Sequence, residues 1–443
     1  MRTRIVRAMR AAVLGAAATS VTLAAITPAS AAGRAAARAA DPLGSGLDAG
    51  TPILPGPPAP TDAATVYVVN NESKTVTPVN TATNVAGKPI KVGSDPDPIA
   101  VTPDGATVYV ASEGAGTITP INTITNVAGK PIAAGPSPLA IAVTPDGKTV
   151  YVVNQQNSGT VTPVSTATGT AGKPIPVGTD PVAIAVTPDG ATAYVVNRLS
   201  RTVTPIRTST NTPGTPIKIG AGAITLAITP NGKTVYVVNG GSNSVTPINT
   251  ATNTAGKAIP VGTFPLGIAI TPNGSTAYVA NIDSNTVSPI NTATNTAGKA
   301  IPVGTFPFGV AITPNGSTAY VNNEGSNSVT AIRTATNTAS KPILVGDSPL
   351  AMAVTPDGKT IYVVNGSSNT VTPIATATNV AGKPITAGTF PVTIAMAPSP
   401  ELASPLAAGE RASYGFGCPV RNDSTREAKR VPSWNRNPCP ASG

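Results

Sequence analysis

No histidine occurs anywhere in the 443 residues. Its absence removes histidine general bases, Ser-His and Cys-His nucleophile pairs, and histidine-held zinc, copper or iron. Charged residues make up only 11% of the chain and aromatic residues only 3%. Between Thr65 and Ala397 there are 17 Lys and Arg against 12 Asp and Glu, with no run of positive charge. That argues against a nucleic-acid-binding face. The single tryptophan, Trp434, and both cysteines, Cys418 and Cys439, lie beyond residue 397. A quinone-cofactor dehydrogenase, whose propeller blades dock through tryptophans, is therefore disfavoured, and no cofactor or metal is expected. After the first 31 residues no second apolar run of about 20 residues follows, so no further membrane span is expected.

What the chain does have is one motif, repeated. Its clearest copy is T-P-D-G-K-T-V-Y-V-V-N, from Thr144 to Asn154. The tyrosine recurs at Tyr67, Tyr109, Tyr151, Tyr194, Tyr236, Tyr278, Tyr320 and Tyr362, at intervals of 42 or 43 residues. A period near 40 residues is that of a four-stranded propeller blade. Residues Asn249–Pro265 and Asn291–Pro307 are identical over 17 positions. One blade cannot bury its own faces, so the repeats imply one large domain and not several small ones.

Each repeat reads as four strands. P-x-A-I-A-V-T is the inner strand, its small residues suiting the wall of a central tunnel. T-V-Y-V-V-N is the second strand, T-V-T-P-I-N the third and K-P-I-P-V-G the outer one. Pro-Asp-Gly or Pro-Asn-Gly joins inner to second strand as a tight turn. The carboxylates there (Asp104, Asp146, Asp189, Asp357) alternate with Asn231, Asn273 and Asn315, which fits a turn and not a metal site. Seven third strands carry an interior proline, and the remaining one has Ala331. Since proline donates nothing to a ladder, its missing N–H should face the poorer partner, beside a short and interrupted outer strand.

The first repeat begins at its second strand, at Thr65, and the last inner strand, Pro391–Ala397, has no followers. That strand should pair with Thr65–Asn70 and close the ring. The expected fold is an all-β propeller of four-stranded blades, eight by strand count, with seven as the alternative.

At Y-V-V-N (Y-V-A-N at Tyr278–Asn281), followed by T-V-T-P-I-N and P-x-x-I-A-V-T-P-D-G, the chain resembles the YVTN β-propeller repeat proteins. The resemblance covers about three quarters of the chain. It implies a propeller, with many relatives seven-bladed, in a secreted or surface-layer-like protein of a family most of whose members have no assigned reaction.

Outside residues 65–397 the composition changes. Residues 1–31 read as a signal peptide: basic MRTRIVRAMR, an apolar stretch from Ala11 to Ile26, and Ala29-Ser30-Ala31 as the cleavage site. Residues 32–64 are an Ala-, Pro- and Gly-rich linker. Residues 398–443 form an irregular tail, in which Cys418 and Cys439 could pair or remain free.

One set of positions breaks the repetition. The residue opening each inner strand should ring one mouth of the tunnel: Asp95, Ser137, Asp180, Gly222, Phe264, Phe306, Ser348 and Phe390, with Phe308 close by. Four of the five phenylalanines are in this set. An apolar concave wall with a few polar groups is a ligand-site description, which requires Phe264, Phe306 and Phe390 to be partly exposed. Burial as wedges between blades is the competing expectation. Arg198, Arg201, Arg207 and Arg333 read as solvated residues. The expected function is a secreted, non-catalytic binding or scaffold protein. Its partner would be a cell-wall polymer, polysaccharide or protein of the cell envelope. The alternatives are an enzyme with Asp95 and Asp180 as acid and base, or a surface-layer assembly protein.

Overall fold

A computed structural model describes residues 64–155 and 159–398. The expected leader, linker and tail, and the Cys418–Cys439 pair with them, lie outside the described residues. Eight antiparallel sheets are arranged in a ring. Blade 1 pairs Thr65–Asn70 with Pro391–Ala397, so the last strand closes the ring on the first. Blades 2 to 8 begin with inner strands opening at Pro96, Pro138, Pro181, Ala223, Pro265, Pro307 and Pro349. Among the described residues no helix is long and apolar enough to cross a membrane.

Val, Ile and Tyr on the second strands are buried on both faces, because each sheet is sandwiched between its neighbours. The repeated tyrosine does more than fill space. In seven blades its hydroxyl donates to the side-chain oxygen of an asparagine in the following blade, from Tyr67 to Asn126 (2.7 Å) round to Tyr362 and Asn84 (2.6 Å). Each such asparagine also holds a left-handed backbone conformation, which asparagine tolerates well. Blade 2 is the exception: Gly169 stands where Tyr109 would find its asparagine. The motif's final asparagine is equally structural. Asn70 donates to Thr75 (3.1 Å) and Thr77 (2.9 Å), and its counterparts repeat the pattern.

The outer edge differs in detail from expectation. It is split into two-residue pieces, Val85–Ala86 and Ile90–Lys91 in blade 1, and the first piece lies before the K-P-I-P-V-G segment. At the gap, the N–H of Gly87 donates to the carbonyl of Pro78 (2.7 Å). A residue's C=O and N–H point to the same side of an antiparallel strand, so the missing proline N–H faces the interrupted edge. Exposed lysines occupy the gap in seven blades, beginning with Lys88 and Lys130. Lysines and prolines at an edge block strand addition by another molecule.

Candidate functional site

The upper face of the ring carries two loop sets: those entering the inner strands and those joining second to third strands. The eight positions singled out in the sequence do fall on this face, one per blade, and all eight adopt positive φ, between 48° and 64°. The cause is a shared hydrogen bond. Each residue's carbonyl accepts the N–H of the first residue after its own blade's second strand, as in Glu324 to Phe306 (2.9 Å) and Arg198 to Asp180 (2.9 Å).

The positions split into two halves. In blades 6, 7, 8 and 1 the residues are Phe264, Phe306, Ser348 and Phe390. Each donates its N–H to an asparagine of the preceding blade: Asn243, Asn285, Asn327 and Asn369, at 2.8–3.0 Å. The other half, Asp95, Ser137, Asp180 and Gly222, follows Lys74, Gly116, Gly159 and Arg201 at the equivalent place. The aromatic residues therefore sit on the half of the mouth that is pinned side chain to backbone.

Phe264 is 37% exposed and Phe306 48% exposed. The ring of Phe306 rests on its own blade's loop, where a Cβ on Gly325 would meet Phe306 Cδ2 at 2.5 Å. Phe390 is half-buried and packs against the core shared by blades 1 and 2, so it is largely a wedge. Phe308 is 3% exposed and packs with Ile224, Leu266 and Ile282. It contributes to the floor of the mouth and not to its surface. Sequence reasoning could not separate Phe306, on the left-handed turn before the strand, from Phe308, two residues on and within it.

The carboxylates are not equivalent either. Asp95 is exposed, with its side chain over Gly114. Asp180 is buried, ion-paired with Arg198 Nε at 2.6 Å, and accepts a hydrogen bond from Gln155 Nε2. Arg198 is thus a structural partner, correcting its reading as merely solvated. Blade 3 lies between Asp95 and Asp180, and Asp180 is engaged by Arg198.

A carboxylate that sequence reasoning passed over lies just beneath Asp95. Asp97 is only 8% exposed and its Oδ1 has no hydrogen-bond partner. Burial, with the Glu113 charge adding to it, pushes its carboxyl well above the usual range. The upper face as a whole holds eight carboxylates and three cations among its described residues. The modest positive charge of the domain therefore conceals an acidic mouth and a basic outer edge.

A family model described as "Lactonase, 7-bladed beta-propeller" matches residues 175–307, about three of the eight repeats. No curated protein matches the chain. Among solved structures, Kuenenia stuttgartiensis hydrazine synthase aligns with a TM-score of 0.53 and 25% identity, over 63% of this chain and 95% of that one. A functionally unknown protein from Desulfotomaculum acetoxidans aligns with a TM-score of 0.52 and 20% identity, over 75% and 98%. Apo AztD from Citrobacter koseri aligns with a TM-score of 0.59 and 13% identity, over 75% and 98%. The roles named for these neighbours differ, and what this chain shares with them is the propeller fold.

Proposed function

We propose that this protein is an exported, non-catalytic binding module whose partner is a polymer or protein of the cell envelope, engaged at the upper mouth. The observation that carries the reading is the pair Phe264 and Phe306. Two exposed phenylalanines on left-handed backbone cost the fold about 1 kcal/mol each, where a glycine like Gly222 would cost little. Backbone strain combined with exposed apolar rings is characteristic of a surface kept for binding. Export rests on the N-terminal leader reading.

The test is co-sedimentation of the chain from Ala32 onward with envelopes of the organism that encodes it, beside Phe264→Ser/Phe306→Ser. Phe390 is left intact because it packs in the core. The expected result is that the parent pellets while the folded double variant stays in solution. Equal pelleting of both, or of neither, refutes the reading.

The family match over residues 175–307 favours a second reading, lactone hydrolysis. It has no histidine to work with, and Asp180 is tied to Arg198. Proton release from simple lactones in a pH-stat checks it, and turnover that survives Asp95→Asn would still establish an enzyme with other residues at work.

A further inference from the structure

The residue that follows the opening position of each inner strand by two places forms a collar under the upper mouth. In seven blades it is apolar and buried, as with Ile224, Leu266, Phe308 and Leu350. In blade 2 it is Asp97. The collar side chains reach up to the first residue of their own blade's upper loop. A Cβ on Gly240 would lie 2.5 Å from Ile224 Cδ1, and one on Gly366 would lie 2.7 Å from Leu350 Cδ1. The corresponding loop residue beside Asp97 is Glu113, whose charge acts on it.

Three carboxylates of one blade thus belong to this sector of the mouth: Asp97 buried in the collar, with Asp95 and Glu113 in the two loops above it. Asp97 Oδ1 is buried and unpartnered, the arrangement that folding avoids unless something answers it. Asp97 stands at a register shift that recurs in the inner strand of every blade, where the other blades place an apolar side chain. Among the described residues no three acidic, cysteine or histidine side chains are placed to hold a metal ion. An organic cation, which needs no closed coordination shell, fits the set better. Phe390, half-buried, occupies the neighbouring ring position in blade 1, and an aromatic ring face beside carboxylates suits an alkylammonium group.

We propose that the blade 2 sector of the upper mouth binds a protonated alkylamine, with Asp97 as its buried anchor and Glu113 and Asp95 as its outer contacts. The proposal rests on the binding-module reading and specifies the chemistry of its ligand: a partner bearing primary amines.

The experiment is calorimetric titration of the full chain with hexane-1,6-diamine, beside ethylguanidinium, hexan-1-ol and calcium chloride. One diamine per chain is expected, with hexan-1-ol and calcium giving no heat. Asp97→Leu restores the residue type of the other blades and so should fold. It is expected to weaken diamine binding by about tenfold or more, since a buried charged contact is lost. Asp97→Asn keeps the shape and should do the same. Glu113→Gln, half-buried in the upper loop, should weaken it about two- to fivefold. Ethylguanidinium binding tighter than diamine reassigns the cation to arginine-like groups and refutes the amine. The proposal is also overturned if the unaltered chain binds no diamine, if Asp97→Leu binds it equally, or if hexan-1-ol or calcium binds as well. Envelope retention without diamine binding defeats this inference alone, while diamine binding without retention defeats only the envelope reading.

Discussion

Replacing Ala331 by proline, the residue of the other seven third strands, is expected to destabilise the protein, and the reason lies nine residues away. Where the other blades have proline, the facing edge residue is glycine; where this blade has Ala331, it is Ser340. A Cβ on the glycines would lie 3.1–3.4 Å from the proline Cγ, tighter than ordinary contact. Ala331, with no ring, leaves room for the serine. Its N–H, which proline lacks, donates to Ser340 Oγ (3.3 Å), while Ser340 N–H donates to the Ala331 carbonyl (2.7 Å). Ala331→Pro alone deletes a hydrogen bond worth about 1 kcal/mol and adds crowding of about 1 kcal/mol, partly offset by about 0.5 kcal/mol from a stiffer unfolded chain. Ser340→Gly alone orphans a buried N–H, costing about 1–2 kcal/mol. The double change recreates the pair found in the other blades and should fall within about 0.5 kcal/mol of the parent. A double-mutant cycle by urea unfolding should therefore show a coupling of about 2 kcal/mol. Additive single costs would refute the account of how these edges are built.

Four further expectations follow from the same geometry. Gly169→Asn supplies the missing partner of Tyr109 at a φ of 63° that asparagine accepts, and should stabilise the protein by about 1 kcal/mol in thermal unfolding. Phe306→Asn exchanges half a buried ring for relief of backbone strain and should stay within about 1 kcal/mol of the parent, whereas Phe308→Ala should cost about 3–5 kcal/mol; equal costs would mean both rings are packing. Asp97, raised in the folded state, binds more protons folded than unfolded above the usual carboxylate range. Stability should therefore fall as pH rises through that window, and Asp97→Leu should flatten the slope of unfolding free energy against pH. Burial likewise pushes Tyr194 and Tyr236 up to about 12, so stability should fall above pH 10 as phenolate forms more easily in the unfolded chain, followed by absorbance of phenolate on alkaline titration.

The ring and its closure were legible because they depend on period. A tyrosine every 42 or 43 residues and an unmatched strand at each end leave one consistent count. The Pro-Asn-Gly turns were legible because their conformation is local. The tyrosine–asparagine latch was not, because its partners lie 59 or 60 residues apart, and 278 where the ring closes, and both residues have sufficient local explanations. Ala331 was visible as an exception, but its meaning required knowing that Ser340 faces it. At the mouth, spacing placed Asp95, Asp180 and the phenylalanines on one ring, and left open which were exposed. Burial separates Phe306 from Phe308, and Arg198 removes Asp180 from the set of free carboxylates. Asp97 was hidden inside a Pro-Asp-Pro segment that resembles a turn, and only alignment with the apolar collar shows it to be misplaced unless it has a use.

The central claim is that the upper mouth is the working face. Hydroxyl-radical footprinting, with and without solubilised envelope fragments, tests it most directly. The account predicts protection of Phe264 and Phe306 on addition of fragments, while the exposed rim residues Val85 and Leu344 stay as reactive as before. Protection of the rim with Phe264 and Phe306 unchanged would contradict it and place the interaction on the outer edge instead.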